Sequence, residues 1–170
     1  GFRDQALSHD LRPARDDNWF AGPAVTLDAH ENDQPSDDPY GKIFEAYDLV
    51  SPGDVIVVAT NGELKSGLWG ELLSTAAAAR GVHAMVTDGL VRDIRLMNDM
   101  GFNCFSRGYS PLDSAGRCLP MAVNAAIDCG GVRIAPGDFM LADIEGVVAI
   151  PQAIQAEVLA RAQEKLAGEN

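Results

Sequence analysis

Ser51-Pro52-Gly53-Asp54-Val55-Ile56-Val57-Val58-Ala59 is the stretch that decides the class of fold. Pro-Gly-Asp is a turn signal. The uninterrupted β-branched run behind it is what a strand buried on both faces requires. A related arrangement returns at Ala135-Pro136-Gly137-Asp138, followed by Phe139-Met140-Leu141-Ala142. Two such units predict a β-rich core built from similar corners, while a single echo is too little for a repeat architecture.

Working outward, helical spacing of Ile43, Phe44, Tyr47 and Val50 predicts a short amphipathic helix over 40–50. Ala21 to Leu27 reads as a strand entered through Gly22-Pro23. On the C-terminal side, Leu68, Leu72 and Ala76 form one i,i+4 row, with Trp69, Leu73 and Ala77 beside it. These rows predict a helix over 68–80, stopped by Gly81. A strand over 82–87, a turn at Asp88-Gly89, a helix over 94–100 and a strand over 102–106 follow. Further β-signals lie at 132–134 and 146–150, and a helix is predicted over 152–166 with Ile154, Val158, Ala162 and Leu166 on one face. Helices alternating with hydrophobic strands make an α/β domain.

Composition sets the outer limits. The chain has 170 residues, 46% hydrophobic, enough for a real core in a single domain. With 13 Lys+Arg against 25 Asp+Glu the formal net charge is −12. That charge argues against nucleic acid, whose binding depends on cationic side chains releasing counterions, and against anionic membrane surfaces. The longest apolar runs fall far short of the roughly 20 residues a bilayer span needs. Cys104, Cys118 and Cys129 are odd in number and lack C-x-x-C spacing. A reducing, cytoplasmic setting and packing roles follow. Between Asp28 and Asp38 five of eleven residues are acidic, without calcium-loop spacing, so a solvated surface loop is expected. The first residue is Gly1, with no signal-peptide pattern after it, and an upstream segment is expected.

Two stretches could carry chemistry. In Asn61 to Leu73 (NGELKSGLWGELL), small residues open the 68–80 helix, and Gly67 and Gly70 allow close backbone approach. Unpaired first-turn N–H groups and the macrodipole make such a helix start an anion cradle. The stretch matches neither a P-loop nor a dinucleotide fingerprint. The second is Asp88-Gly89-Leu90-Val91-Arg92-Asp93, at a strand end, where ligands gather in α/β folds. Arg92 can hold a carboxylate bidentately. Asp93 offers a hard oxygen to Mg²⁺ or Mn²⁺; as a plain surface ion pair the two would contribute little. His9, His30 and His83 show no metal-ligand spacing, and Ser66 and Ser110 lack a nucleophile elbow. Lys65 lies close enough for a Schiff base to be conceivable, although its polar surroundings do not favour a lowered pKa.

Gly70-Glu71-Leu72-Leu73 before an Ala-rich helix, Arg80-Gly81-Val82, Asp88-Gly89 and Val91-Arg92-Asp93 closely resemble the 4-hydroxy-4-methyl-2-oxoglutarate / 4-carboxy-4-hydroxy-2-oxoadipate aldolase family. That family also contains the regulator of ribonuclease activity A. The resemblance continues through Phe105 to Pro111, Val132 to Asp138 and Gly146 to Val148, with Gly70 lying 22 residues before Arg92.

The resemblance implies a layered α/β domain of the swivelling type, a β-rich core flanked by helices, covering 1–170 without the family's N-terminal helical segment. It implies a divalent-metal-dependent lyase that releases pyruvate from a small keto-acid substrate, with oxaloacetate decarboxylation as a related outcome. By carry-over, Asp93 binds the metal and Arg92 the keto-acid end. The backbone of Gly70, Glu71, Leu72 and Leu73 cradles the carboxylate, and Glu71 is the candidate for positioning a proton-accepting water. A homotrimer or dimer of trimers is implied, with an acidic residue from a neighbouring subunit that maps onto no position here. The alternative is a non-enzymatic protein-binding regulator of a ribonuclease on the same fold.

Overall fold

The computed structural model describes residues 2–168. In chain order the elements are β1 (Arg12–Pro13), β2 (Phe20–Glu31), α1 (Gly41–Leu49), β3 (Val55–Ala59), β4 (Gly67–Trp69), α2 (Glu71–Ala78), β5 (Ala84–Thr87) and β6 (Leu90–Val91). There follow α3 (Ile94–Asp99), β7 (Asn103–Ser106), β8 (Gly108–Tyr109), β9 (Cys118–Val123), β10 (Ile127–Cys129), β11 (Val132–Ile134), β12 (Phe139–Asp143) and β13 (Gly146–Ile150). A 3₁₀ turn (Gln152–Ile154) leads into α4 (Gln155–Gly168).

The main sheet runs β1-β7-β5-β3-β2-β12-β13, with β9 also on β2. β2, β3, β5 and β7 are mutually parallel, and β1, β9, β12 and β13 pair antiparallel. All five residues of β3 are buried, as its continuous β-branched run requires. Ile56 and Val58 pack with Ile43 and Tyr47 of α1, Leu73 and Ala77 of α2, and Met97 of α3. Val55, Val57 and Ala59 enter a second core with Phe20, Phe105, Ile127, Ile134 and Met140. Helices thus cover one face and the β10–β11 hairpin with neighbouring strands covers the other. The expected α/β layering with a β-rich core is what the structure contains.

The two Pro-Gly-Asp units are the same corner. Gly53 and Gly137 have φ of 95° and 83°, which a glycine after proline adopts without steric cost. In each corner the aspartate N–H donates 3.1 Å to the carbonyl of the residue before proline. Its carboxylate accepts that residue's N–H: Asp54 from Ser51 at 2.7 Å and Asp138 from Ala135 at 2.8 Å. Asp138 is buried and also accepts Gln152 N–H at 2.9 Å, tying the start of β12 to the last strand's exit.

Three boundaries differ from the sequence reading. The strand expected over 21–27 continues to Glu31, because β9 pairs with its second half through a bulge at Asp28/Ala29. Asp28 and Glu31 therefore lie on a strand rather than in a surface loop. The helix expected over 68–80 runs only Glu71–Ala78. Leu68 and Trp69 are buried on β4 instead, since Gly70 is extended (φ −155°) and breaks the i,i+4 rows there. The C-terminal helix begins later, at Gln155, after the 3₁₀ turn, and none of its described residues is buried. No helix among the described residues is long and apolar enough to cross a membrane.

The two corners differ in burial, and that yields an expectation. Asp138→Ala strands two buried N–H donors and should cost about 2–3 kcal/mol in urea unfolding, against about 1 kcal/mol or less for Asp54→Ala. Equal losses would refute the assignment of Asp138 as the clamp.

Candidate functional site

Short strands β4, β6 and β8 form a second, parallel sheet beside the ends of β3, β5 and β7. Each parallel core strand is followed in sequence by a strand of this small sheet. Its hydrogen bonds set two loops side by side: Arg92 N–H donates to Trp69 C=O at 2.8 Å, and Ser110 N–H to Val91 C=O at 3.0 Å. The start of α2 and the start of α3 consequently meet, and both sequence-derived stretches converge at one place.

The start of α2 is held from below. Trp69 is fully buried, its Nε1 donates to Ser74 Oγ at 2.9 Å, and its ring meets Tyr47 edge-on at 6.3 Å. Tyr47 Oη donates to Leu73 C=O at 2.7 Å. Burial pushes the Tyr47 phenol above its ordinary pKa, so it stays a neutral donor.

At the junction, Asp93 adopts a left-handed conformation (φ 56°, ψ 29°) at the N-cap of α3, yet its carboxylate caps no N–H of that helix. It crosses to α2 and accepts the Glu71 N–H at 3.3 Å. Left-handed backbone is uncommon outside glycine, although aspartate tolerates it better than most residues. An aspartate that forgoes its local cap to reach another helix is held there by the surrounding structure. Arg92 Nη1 donates to Gly67 C=O at 2.5 Å, and its Nε stands 3.7 Å from Asp93 Oδ2. The arginine side chain is 21% exposed and the aspartate 41%, so both are anchored and both remain open to a ligand.

Gly70 is the tight point. A Cβ there would come within 2.5 Å of Asp93 Oδ2 and 2.9 Å of Arg92 Cγ. The two functional side chains occupy the space any other residue would fill.

Two cavities open on this junction. One, of about 250 Å³, is bounded by Gly70, Arg92 and Asp93 and walled by Tyr40, Phe44, Leu72, Leu73 and Ala76. The other, of about 310 Å³, lies between Arg92, Asp93 and Ile94 on one side and Tyr109, Ser110 and Pro111 on the other. The structure brings Gly70, Leu72, Leu73, Arg92 and Asp93 to one cavity. Glu71 gives its N–H to Asp93, while its Oε1 accepts Thr75 Oγ at 2.9 Å along the helix.

Among the described residues no group of three or more His, Cys, Asp or Glu is placed to hold a metal. A single half-exposed carboxylate suits a hard cation that keeps several waters, such as Mg²⁺, and does not suit zinc with its three or four protein ligands.

Glu63 and Asp88 are buried acids that sequence reasoning did not single out as organisers. Glu63, 4% exposed, accepts the N–H groups of Lys65 (2.7 Å) and Ser66 (2.9 Å) and the Ser66 hydroxyl (2.9 Å). Asp88 accepts Thr60 N–H at 2.8 Å and Gly130 N–H at 3.2 Å, joining three loops beneath the site. Nothing in the local sequence of Glu63 separates it from a surface glutamate.

The remaining candidates are engaged elsewhere. Lys65 Nζ meets Glu31 at 2.7 Å, and that hydrogen bond raises its pKa. His30 pairs with Asp28 at 3.0 Å, and His83 meets the Trp19 ring edge-on. All three cysteines are buried, and burial pushes the Cys104 thiol up to about 12, far from a reactive thiolate.

Comparison with known proteins agrees with this geometry. The pattern of the family described as "RraA-like: Aldolase/RraA" matches residues 1–149. A relative from Halalkalibacterium halodurans, named "Putative 4-hydroxy-4-methyl-2-oxoglutarate aldolase", is 32% identical over 161 residues, covering 95% of this chain and 73% of its own length. Among solved structures, RraAS2 of Streptomyces coelicolor, described as an unusual member of the RNase ES inhibitor RraA family, superposes with a TM-score of 0.84 at 26% identity, covering 97% of this chain and 81% of its own. Another, described as belonging to novel cellulases from microbes associated with the gut ecosystem, gives a TM-score of 0.92 at 30% identity, over 98% and 74% of the two chains.

Because Asp93 and Arg92 fill the space beside Gly70, Gly70→Ala should displace both side chains. Calorimetric titration with oxalate is expected to show at least tenfold weaker binding. The melting temperature should fall by only a few degrees, since the added methyl meets side chains rather than backbone. Unchanged oxalate affinity would show that the junction is not the anion site.

Proposed function

The chain belongs to the RraA-like family, and on that premise we propose that it is a divalent-metal-dependent class II pyruvate aldolase. Its substrate would be 4-hydroxy-4-methyl-2-oxoglutarate or a related 4-hydroxy-2-oxo acid, with oxaloacetate decarboxylation as a second activity. The observation that carries the reading is Asp93, drawn from its own helix to the first N–H of α2 beside Arg92. A purely structural aspartate at that N-cap would bond to α3.

Retro-aldol cleavage removes the proton of the C4 hydroxyl, turns C4 into a carbonyl and sends the C3–C4 electron pair into a pyruvate enolate, which takes a proton at C3. Bound at Asp93, with water at most other positions, Mg²⁺ or Mn²⁺ would supply positive charge to the keto and enolate oxygen. Arg92 holds the keto-acid end, its guanidinium oriented by the Gly67 carbonyl. The first-turn N–H groups of Leu72 and Leu73, which have no intrahelical acceptor, orient the substrate carboxylate. Glu71, with Oε1 on Thr75, is assigned the positioning of the water that takes the hydroxyl proton. Water at that point must be admitted, and the 41% exposure of Asp93 allows it.

Lys65 has no part in this chemistry. A Schiff-base lysine needs its pKa lowered toward neutrality, and the Glu31 carboxylate moves it the opposite way. Glycoside hydrolysis needs two carboxyl groups flanking the scissile bond. Of the described residues bounding either cavity, Asp93 is the only acid.

The decisive experiment couples pyruvate release to lactate dehydrogenase, with and without Mg²⁺. Asp93→Ala should lower metal-dependent turnover at least about 10²-fold, the size of effect seen when one transition-state charge stabiliser is lost. Lys65→Ala should stay within about threefold of the parent, and borohydride with pyruvate should trap no adduct. Undiminished turnover in Asp93→Ala would remove that residue from the mechanism. Inertness of the parent toward every substrate with metal present would favour the ribonuclease-regulator reading.

A homotrimer or dimer of trimers accompanies this proposal. Its support is apolar surface that one chain leaves uncovered: Trp19, Leu141, Ile144 and Val148, together with α4. Light scattering is expected to give three or six times the 18.1 kDa chain mass. A monomer at micromolar concentration would contradict it.

A further inference from the structure

The cavity beside Gly70 is chemically lopsided. At its inner end stand Arg92 and Asp93, and the rest of its wall is Tyr40, Phe44, Leu72, Leu73 and Ala76. Arg92 is the only cationic side chain bounding it, and that guanidinium is already committed at one edge to the Gly67 carbonyl. The aromatic wall is itself ordered: Tyr40 and Phe44 stack at 6.3 Å, and Phe44 lies 6.3 Å from the buried Tyr47 ring. Asp93 adds a negative charge at the same end.

A substrate held by its 2-oxo acid end at Arg92 and the α2 N-terminus has only one carboxylate that this cavity can pair. A second carboxylate pointing along the wall would meet aromatic and aliphatic carbon. Removing an ion from water without a partner is costly. An alkyl or aryl group in the same place would exchange water for carbon.

We propose that the wall formed by Tyr40, Phe44, Leu72, Leu73 and Ala76 is the subsite for the part of the substrate beyond C4, and that it selects an uncharged, apolar substituent over a carboxylate. The preferred substrates are then monocarboxylic 4-hydroxy-2-oxo acids with an alkyl or aryl group at C4, cleaved to pyruvate and an apolar aldehyde or ketone. Dicarboxylic members of the class are the poorer substrates. A cavity of about 250 Å³ accommodates such an acid, being somewhat smaller than sites for drug-sized ligands. This rests on the aldolase reading for its catalytic consequence, but the binding preference stands apart from it.

Two measurements keep the claims separate. In the first, titration calorimetry compares unreactive 2-oxohexanoate with 2-oxoglutarate on the full chain in the presence of Mg²⁺. The first is expected to bind at least about tenfold more tightly, the lower end of what apolar pockets discriminate. Leu72→Lys should reverse or abolish the preference. Leu72 is 78% exposed, so the fold tolerates the change, and Phe44→Lys, also at an exposed position, supplies a second test. Equal or tighter binding of 2-oxoglutarate to the parent chain would overturn the subsite. In the second, pyruvate release is compared for 4-hydroxy-2-oxohexanoate and 4-hydroxy-4-methyl-2-oxoglutarate. A kcat/KM at least tenfold higher for the first supports the proposal, and a higher value for the dicarboxylate overturns it. Retained binding preference with no pyruvate from either compound would sink the aldolase reading while leaving the apolar subsite in place.

Discussion

The hydrogen bond from Arg92 N–H to the Trp69 carbonyl, 2.8 Å long, is the contact on which the site depends. It fixes the end of β6 against the end of β4, and so places the residues that follow each strand next to one another. One of those continuations is Gly70 and the first turn of α2. The other is Arg92-Asp93 and the first turn of α3. Without this register, the carboxylate of Asp93 could not reach the Glu71 N–H, 22 positions away in sequence. The small sheet is in turn placed by the parallel core, because β4 leads through α2 into β5 and β6 leads through α3 into β7.

This arrangement reconciles a strongly acidic chain with an anionic ligand. A net charge of −12 repels polyanions at long range. At the junction, however, the guanidinium of Arg92 and the positive end of α2 act within a few ångströms, where local geometry outweighs the distant field. Much of the acidic surplus is engaged elsewhere. Asp28 accepts Asn61 Nδ2, Glu31 binds Lys65, and Glu63 and Asp88 organise loops from within.

The fold was most legible where one local rule sufficed. The β-branched run of β3 states its burial on both faces, and the two Pro-Gly-Asp units state their turns, since proline, glycine and aspartate each serve a fixed position of the corner. Arg92 and Asp93 were visible as an adjacent pair of chemically capable residues. Reading failed where two rules competed. Leu68, Leu72 and Ala76 satisfy helical spacing, but pairing of β4 with β6 takes Leu68 and Trp69 into a strand. Leu72 is left 78% exposed, in the wall of the cavity rather than in the core. Glu63 escaped notice because a glutamate that folds back on its own loop carries no periodic signature.

The amino-acid sequence by itself determined the layered α/β class, the buried central strand, the turn corners, and which side chains are capable of binding an anion and a cation. It could do so because those properties depend on near neighbours and on side-chain chemistry. Only the tertiary structure decided that the two helix starts meet, that Asp93 turns left-handed to serve α2 rather than α3, that Lys65 is drawn off by Glu31, and that the cavity beside Arg92 has an apolar wall. Each of these requires segments distant along the chain to be set at a definite separation, and pairing in the sheet, not local propensity, supplies it.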